Sequence, residues 1–386
     1  MRTPDAPASH PMISPETGRE PRVFFHSLDG IRAVAAFMVV MLHTAPLFGI
    51  ARPQESYLAV DLFFGLSGVV ISHTYEARLL AGLSLARFCW IRIVRLYPLY
   101  AAGTAIGIAT LAFPGGDPGT PDLGLLLPLS LAILPFLGSG SAAYFPLNIP
   151  GWSLFLELLV NVLYAGIVRR LDRRALLIIL CCALAGLVFC VRAFRFHSLE
   201  LGWRQVPWRG LDLGVVGGLL RVAYSFFAGV LLYRAFSGRQ RRGVSVRPAA
   251  WVPWLIVMAV ALILAASPGP VLRPFFDLTV VAVVFPALIY LALWFRSAGA
   301  ADPLFKMAGN LSYAIYAIHY PLSMILDRLA ERWMGLPLQR FAPWGGIGFL
   351  ASLLILCAWL DRYYDRPLRS ALMRRAAAPA PVQNCQ

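Results

Sequence analysis

Ten stretches of the chain stay apolar long enough to cross a bilayer, near 31–50, 57–75, 96–113, 152–168, 175–191, 211–233, 251–267, 276–295, 310–327 and 343–361. Each predicts a membrane-spanning helix. An eleventh stretch, 123–138, is shorter and is interrupted by Pro128 and Pro135. The first span overlaps residues 27–45, SLDGIRAVAAFMVVMLHTA, where Ser27 or Asp29 is placed to cap the helix start. Residues 1–26 are polar and proline-rich and read as a disordered tail, as do 371–386. No internal repeat is visible between them, so 27–370 is expected to be one membrane domain.

Composition agrees with this class. The 386 residues are 59% hydrophobic and 14% charged, well below the charged share of about 25% in soluble domains. The net charge of +15 does not point to nucleic acid, because the positive residues sit between apolar runs rather than on one soluble face. Lys306 is the only lysine, and so strong a preference for arginine reads as compositional bias. The six cysteines show no paired spacing, so neither a disulfide framework nor a metal site is expected.

The arginines do fix an expected topology. If 123–138 does not cross, the loops on the side of the amino-terminal tail hold 24 Lys and Arg and the opposite loops hold 9. If it crosses, the split becomes 16 against 17. The positive-inside rule selects the first arrangement: ten spans, both termini cytoplasmic, and 123–138 re-entrant or interfacial on the outer side.

Polar residues inside the spans are the candidates for chemistry. Arg32 and His43 lie at opposite ends of the first span, eleven residues and about 16 Å apart on nearly one face. A histidine in so apolar a helix is either a functional group or one satisfied by a hydrogen bond inside the bundle. Arg92 and Arg95, in RFCWIRIVRLYPLY (87–100), are helical neighbours that suit either a phosphate or lipid headgroups. In the NIPGWSLFLE stretch (148–157), Trp152 marks an interface, Ser153 follows it, and Glu157 enters the apolar layer. Counting depth from the span ends sets His43, Asp61 and Glu157 at one level, with Glu157 the expected partner of His43. Asp61 either orients His43 or holds two helices together, with Gly65 and Gly68 allowing close approach. Tyr313, Tyr316, His319 and Tyr320 form a further polar face that either lines a cavity or packs within the bundle.

Taken together, LDGIRAVAAFMVVMLH (28–43), VDLFFGLSGVVIS (60–72), RFCWIRIVRLYPLY (87–100), WSLFLE (152–157) and LSYAIYAIHYPL (311–322) resemble the membrane acyltransferase-3 family of bacterial envelope-modifying O-acyltransferases. The motifs fall in the family's order and run across almost the whole chain. The resemblance implies an all-α, polytopic helical bundle in the bacterial inner membrane. It also implies transfer of an acyl group, commonly acetyl, from cytoplasmic acyl-CoA to a hydroxyl of a glycan, a lipid-linked sugar or another extracytoplasmic acceptor. Acyl-CoA would be a co-substrate, with no permanently bound cofactor and membrane lipids as surroundings. The family's arginine–ten residues–histidine pattern maps onto Arg32 and His43, and its paired arginines onto Arg92 and Arg95. Its tryptophan–serine–leucine–two residues–glutamate motif maps onto Trp152, Ser153, Leu154 and Glu157. Phe155 and Leu156 depart from the polar or small residues common there, and no hydrolase-like domain of the kind some members carry is expected.

The implied mechanism has the CoA phosphates on Arg92, Arg95 and Arg32, and the pantetheine arm running up to His43. His43 is then the general base, oriented by Glu157 and Asp61, with Trp152, Ser153, Tyr316 and His319 lining the cavity. The loops 114–150 and 192–210 are expected to shape the acceptor pocket. The competing reading is a proton-coupled secondary transporter relaying protons through His43, Asp61 and Glu157. The missing inverted repeat counts against it.

Overall fold

The computed structural model describes residues 25–113, 122–138, 141–193, 198–248, 250–299 and 301–375. Its helices are α1 (His26–Phe48), α2 (Ala59–Leu80), α3 (Leu85–Ala109), α4 (Leu123–Leu131), α5 (Gly151–Ile167), α6 (Arg173–Ala193), α7 (Leu213–Gln240) and α8 (Val252–Ala265). They continue with α9 (Arg273–Thr279), α10 (Phe285–Trp294), α11 (Ala301–Met334), α12 (Trp344–Leu360) and α13 (Arg366–Arg375). Single π turns join α9 to α10 and α12 to α13, so each pair runs on as one longer rod. The protein is an all-α, polytopic membrane bundle.

All ten apolar stretches are helical. Among the described residues, eight helices are long and apolar enough to cross a membrane. The other two expected spans differ for opposite reasons. Helix α8 has 14 residues, a rise of about 21 Å. Helix α11 has 34 residues but carries Asn310, Ser312, three tyrosines and His319 through its middle. Its polarity follows from its position, because one side of it faces the cavities described below. Helix α4 has nine residues and rises only about 13 Å, too little to cross. Successive long helices alternate in direction, so the end of the bundle where α1 begins is termed the proximal face and the other the distal face.

Two local expectations at the chain ends are corrected. Neither Ser27 nor Asp29 caps α1, because the helix already begins at His26, with Phe25 at the cap position. Ser27 Oγ instead donates to the Phe295 carbonyl at 2.7 Å, and Asp29 accepts from Arg32 Nη1 at 3.2 Å. The expected tail at 371–386 begins as helix, since α13 runs to Arg375. The rest of that tail, and residues 1–24, lie outside the described residues.

Packing follows the small residues. A Cβ on Gly68 of α2 would stand 2.0 Å from the Phe226 carbonyl oxygen, and one on Gly229 of α7 would stand 2.1 Å from that of Gly65. These two backbones therefore meet in van der Waals contact, as Gly65 and Gly68 led us to expect. The same seam continues towards the distal face as a buried ion pair. Arg221 Nη2 donates to Asp61 Oδ2 at 2.5 Å and Arg221 Nε reaches both carboxylate oxygens, with side chains 1% and 0% exposed. Helix α11 lies against α1 at a second close approach, where a Cβ on Gly309 would meet Asp29 Cβ at 2.5 Å. Pro321 has no N–H to give the Ala317 carbonyl, and Asn148 Nδ2 donates to that oxygen instead at 3.2 Å. That bond ties the loop before α5 to the middle of α11.

Candidate active site

Two cavities stand end to end inside the bundle. The proximal one, about 150 Å³, is bounded by α1, α2, α3, α5 and α11. The distal one, about 500 Å³, is bounded by α1, the start of α5 and α11, and by the loops 49–58 and 198–204. Helix α11 runs along both with a stripe at helical spacing: Ser312, Tyr313 and Tyr316 on the proximal cavity, then Tyr316, Tyr320, Ser323 and Asp327 on the distal one. Tyr316 and Val60 belong to both walls.

The proximal cavity collects positive charge. Arg32 comes from α1 and Arg92 and Arg95 from one face of α3, so the three expected arginines are brought together. Glu157 of α5 joins them rather than His43. Arg92 Nη2 donates to Glu157 Oε1 at 2.6 Å, and Ser67 Oγ donates to the same oxygen at 3.0 Å. The correction has a geometric cause. Depth alone ranked Glu157 with His43, but a helix also fixes azimuth. Glu157 is one turn from Ser153 and shares its proximal cavity, whereas Trp152 points to the distal cavity. The Arg92 Nε–H is buried with no acceptor, a donor held ready inside the cavity, and Arg95 forms no ion pair among the described residues. Guanidinium groups in this arrangement match phosphate oxygens or a polarised carbonyl.

The distal cavity holds the histidine. His43 Nδ1 lies 2.9 Å from His319 Nε2. His319 Nδ1 faces two carbonyls of its own helix, Tyr316 at 2.9 Å and Ile315 at 3.1 Å. Carbonyl oxygens only accept, so His319 Nδ1 carries the proton and its Nε2 is the acceptor. His43 Nδ1 must then donate to His319, which leaves the His43 Nε2 lone pair free on the ring that borders the distal cavity. This tautomer is assigned from the hydrogen-bond chain. Tyr320 closes on the edge of the same ring at 5.3 Å between centroids. His319 is completely buried, so it stands behind His43 rather than lining the cavity as expected.

Asp61 is also corrected. It does not approach His43, because the Arg221 guanidinium takes both its oxygens. Arg221 further donates to the carbonyls of Leu201, at 2.6 Å, and Tyr57, at 3.0 Å. It lies under the Trp152 ring at 5.4 Å. Asp61 thus anchors the floor of the distal cavity through Arg221. Trp152 and Ser153 do line cavities, one distal and one proximal. Sequence reasoning missed Arg221 as the partner of Asp61 and His319 as the partner of His43. It also missed Glu200 and Trp203, which the loop 198–204 brings to the distal cavity.

The arrangement offers an anion site and an imidazole base in adjoining cavities that share Val60 and Tyr316 as lining residues. Among the described residues no group of three His, Cys, Asp or Glu could hold a metal ion.

Comparison with known proteins bears on the chemistry. A family described as an acyltransferase domain matches residues 25–362. Over 187 residues the chain is 37% identical to Protein 2 in picA locus from Rhizobium radiobacter, covering 45% of this chain and 96% of that protein. No solved structure matches.

Proposed function

Because this chain belongs to the membrane acyltransferase-3 family, and so is an acyltransferase, we propose that it moves an acyl group, acetyl in the simplest case, from acyl-CoA at the proximal face to a hydroxyl acceptor entering from the distal face. The observation that carries this reading is the hydrogen-bond chain that fixes the free His43 Nε2 toward the distal cavity. A base must present a lone pair within reach of the proton it removes.

In this mechanism the phosphates of CoA are held by Arg92, Arg95 and Arg32, and the pantetheine arm lies along the proximal cavity. The rise from Arg32 to His43, about 16 Å, is comparable with that arm. The acceptor hydroxyl binds in the distal cavity and gives its proton to His43 Nε2 as its oxygen attacks the thioester carbonyl. The C–O bond forms, the C–S bond breaks, and the imidazolium returns the proton to the departing thiolate. His319 Nε2, accepting from His43 Nδ1, takes the part that a carboxylate plays in serine-hydrolase triads. The acceptor class is a glycan, a lipid-linked sugar or another extracytoplasmic hydroxyl compound. The distal lining is consistent with a polyhydroxylated ligand, with the aromatic side chains Trp152 and Trp203 beside the polar side chains Glu200, Asp327 and Gln339. The arginine-rich loops at the proximal face favour placing that face in the cytoplasm of a bacterial inner membrane, with both termini there.

Radiolabelled acetyl-CoA added to the proximal side of proteoliposomes, with an envelope glycan extract inside, tests the reading. Label in the glycan fraction with release of free CoA is expected. Unchanged acetyl-CoA across a range of hydroxyl acceptors and acyl chain lengths would overturn it.

A further inference from the structure

The arginines and the histidine occupy different cavities, so the acyl end of the donor has to leave one and reach the other. Val60 and Tyr316 are the residues that border both. The Tyr316 hydroxyl lies 2.7 Å from Ser153 Oγ. Ser153 spends its single hydroxyl proton on the Pro150 carbonyl at 3.0 Å, so Tyr316 is the donor in that pair. The ring is braced on the other side by Phe63, edge to face at 5.3 Å. Tyr316 therefore stands where the two cavities adjoin, reaching from α11 to its bond at the start of α5. The carbonyl of the same residue fixes the His319 tautomer, so the passage and the base share one turn of helix.

We propose that Tyr316, latched on Ser153, is the gate between donor and acceptor cavities and sets the size of the acyl group that passes. This rests on the acyl-CoA reading above. The charged end of CoA stays with the arginines, and the moving part is the thioester with its acyl chain. As a gate, the latched ring beside Val60 would pass a short acyl group, while a longer chain would have to displace the ring and lose the Ser153 bond. Discrimination of this kind amounts to about 10- to 200-fold per methylene-sized change in a tight apolar pocket.

The test compares kcat/KM for acetyl-, butyryl- and octanoyl-CoA in the wild type, Tyr316→Phe, Tyr316→Ala and Val60→Ala. Wild type is expected to prefer acetyl. Tyr316→Ala should raise the octanoyl-to-acetyl ratio at least about tenfold, and Tyr316→Phe, which keeps the ring but loses the latch, by less. The tyrosine's backbone carbonyl, and hence the histidine chain, survives all three. Val60→Ala opens the same passage from α2, so the question is answered even where Tyr316→Ala does not fold. Acyl-CoA turnover by the wild type with an unchanged acyl preference in Val60→Ala and every folded Tyr316 variant would overturn the gate alone. No acyl-CoA turnover by the wild type would remove the reading on which it rests.

Discussion

His43 Nδ1 donates to His319 Nε2 across 2.9 Å, joining α1 to α11 at the wall of the distal cavity. The second histidine is itself held by two backbone carbonyls one turn away. The orientation of the candidate base therefore depends on helix α11 and not on a carboxylate, which separates this site from the arrangement the sequence suggested.

It follows that His319→Gln should lower kcat with little change in KM for acyl-CoA, since the proposed donor site is in the other cavity. A loss of roughly 10²-fold is expected, because a misoriented base still works part of the time. The pH profile of kcat should shift as well, a readout that a packing defect would not move. Normal kcat and an unshifted profile would show that His43 needs no such support.

The arginines should act on the other parameter. Each charge-assisted contact to phosphate is worth about 1.5–3 kcal/mol, so Arg92→Ala and Arg95→Ala should each raise KM for acyl-CoA by about 10- to 150-fold. Competition by CoA itself should weaken in parallel. Unaltered CoA affinity in the double variant would return both residues to the role of membrane anchors.

Glu157 separates the two halves of the site. Bonded to Arg92, it should show a coupling of about 0.5–3 kcal/mol with Arg92 in a double-mutant cycle of Glu157→Gln and Arg92→Ala. Glu157→Gln combined with His319→Gln should be additive to about 0.5 kcal/mol. The reverse pattern would restore Glu157 as the partner of His43.

The Asp61–Arg221 pair is structural on this account. Removing one member of a fully buried pair leaves an uncompensated charge and costs about 3–5 kcal/mol. Asp61→Ala should therefore lower the unfolding temperature in detergent markedly, and Asp61→Leu with Arg221→Met should recover most of the loss. Full thermal stability in Asp61→Ala would contradict the assignment.

How much of this could be read from the chain depended on which geometric quantity was needed. Helix positions followed from apolar length, and the α2–α7 contact followed from Gly65 and Gly68. Partners across helices needed azimuth as well as depth. Asp61, Gly65 and Gly68 share one face of α2, and Arg221, Ser225 and Gly229 share one face of α7. Those two stripes, with a lone arginine in an apolar run, were a legible signal for the ion pair. The Glu157 phase was equally available from its four-residue step to Ser153. The His43–His319 bond was not, because 276 residues separate the two and nothing local in either span specifies that α1 and α11 are neighbours.

His43 as the base in acyl transfer is the assignment on which the proposed function turns. The most direct measurement is single-turnover acyl transfer by His43→Ala, purified, with its fold and acyl-CoA affinity checked in the same preparation. Intact binding and a chemical step slowed by about 10²–10⁴-fold are expected. Transfer at near the wild-type rate from a folded His43→Ala protein would contradict it.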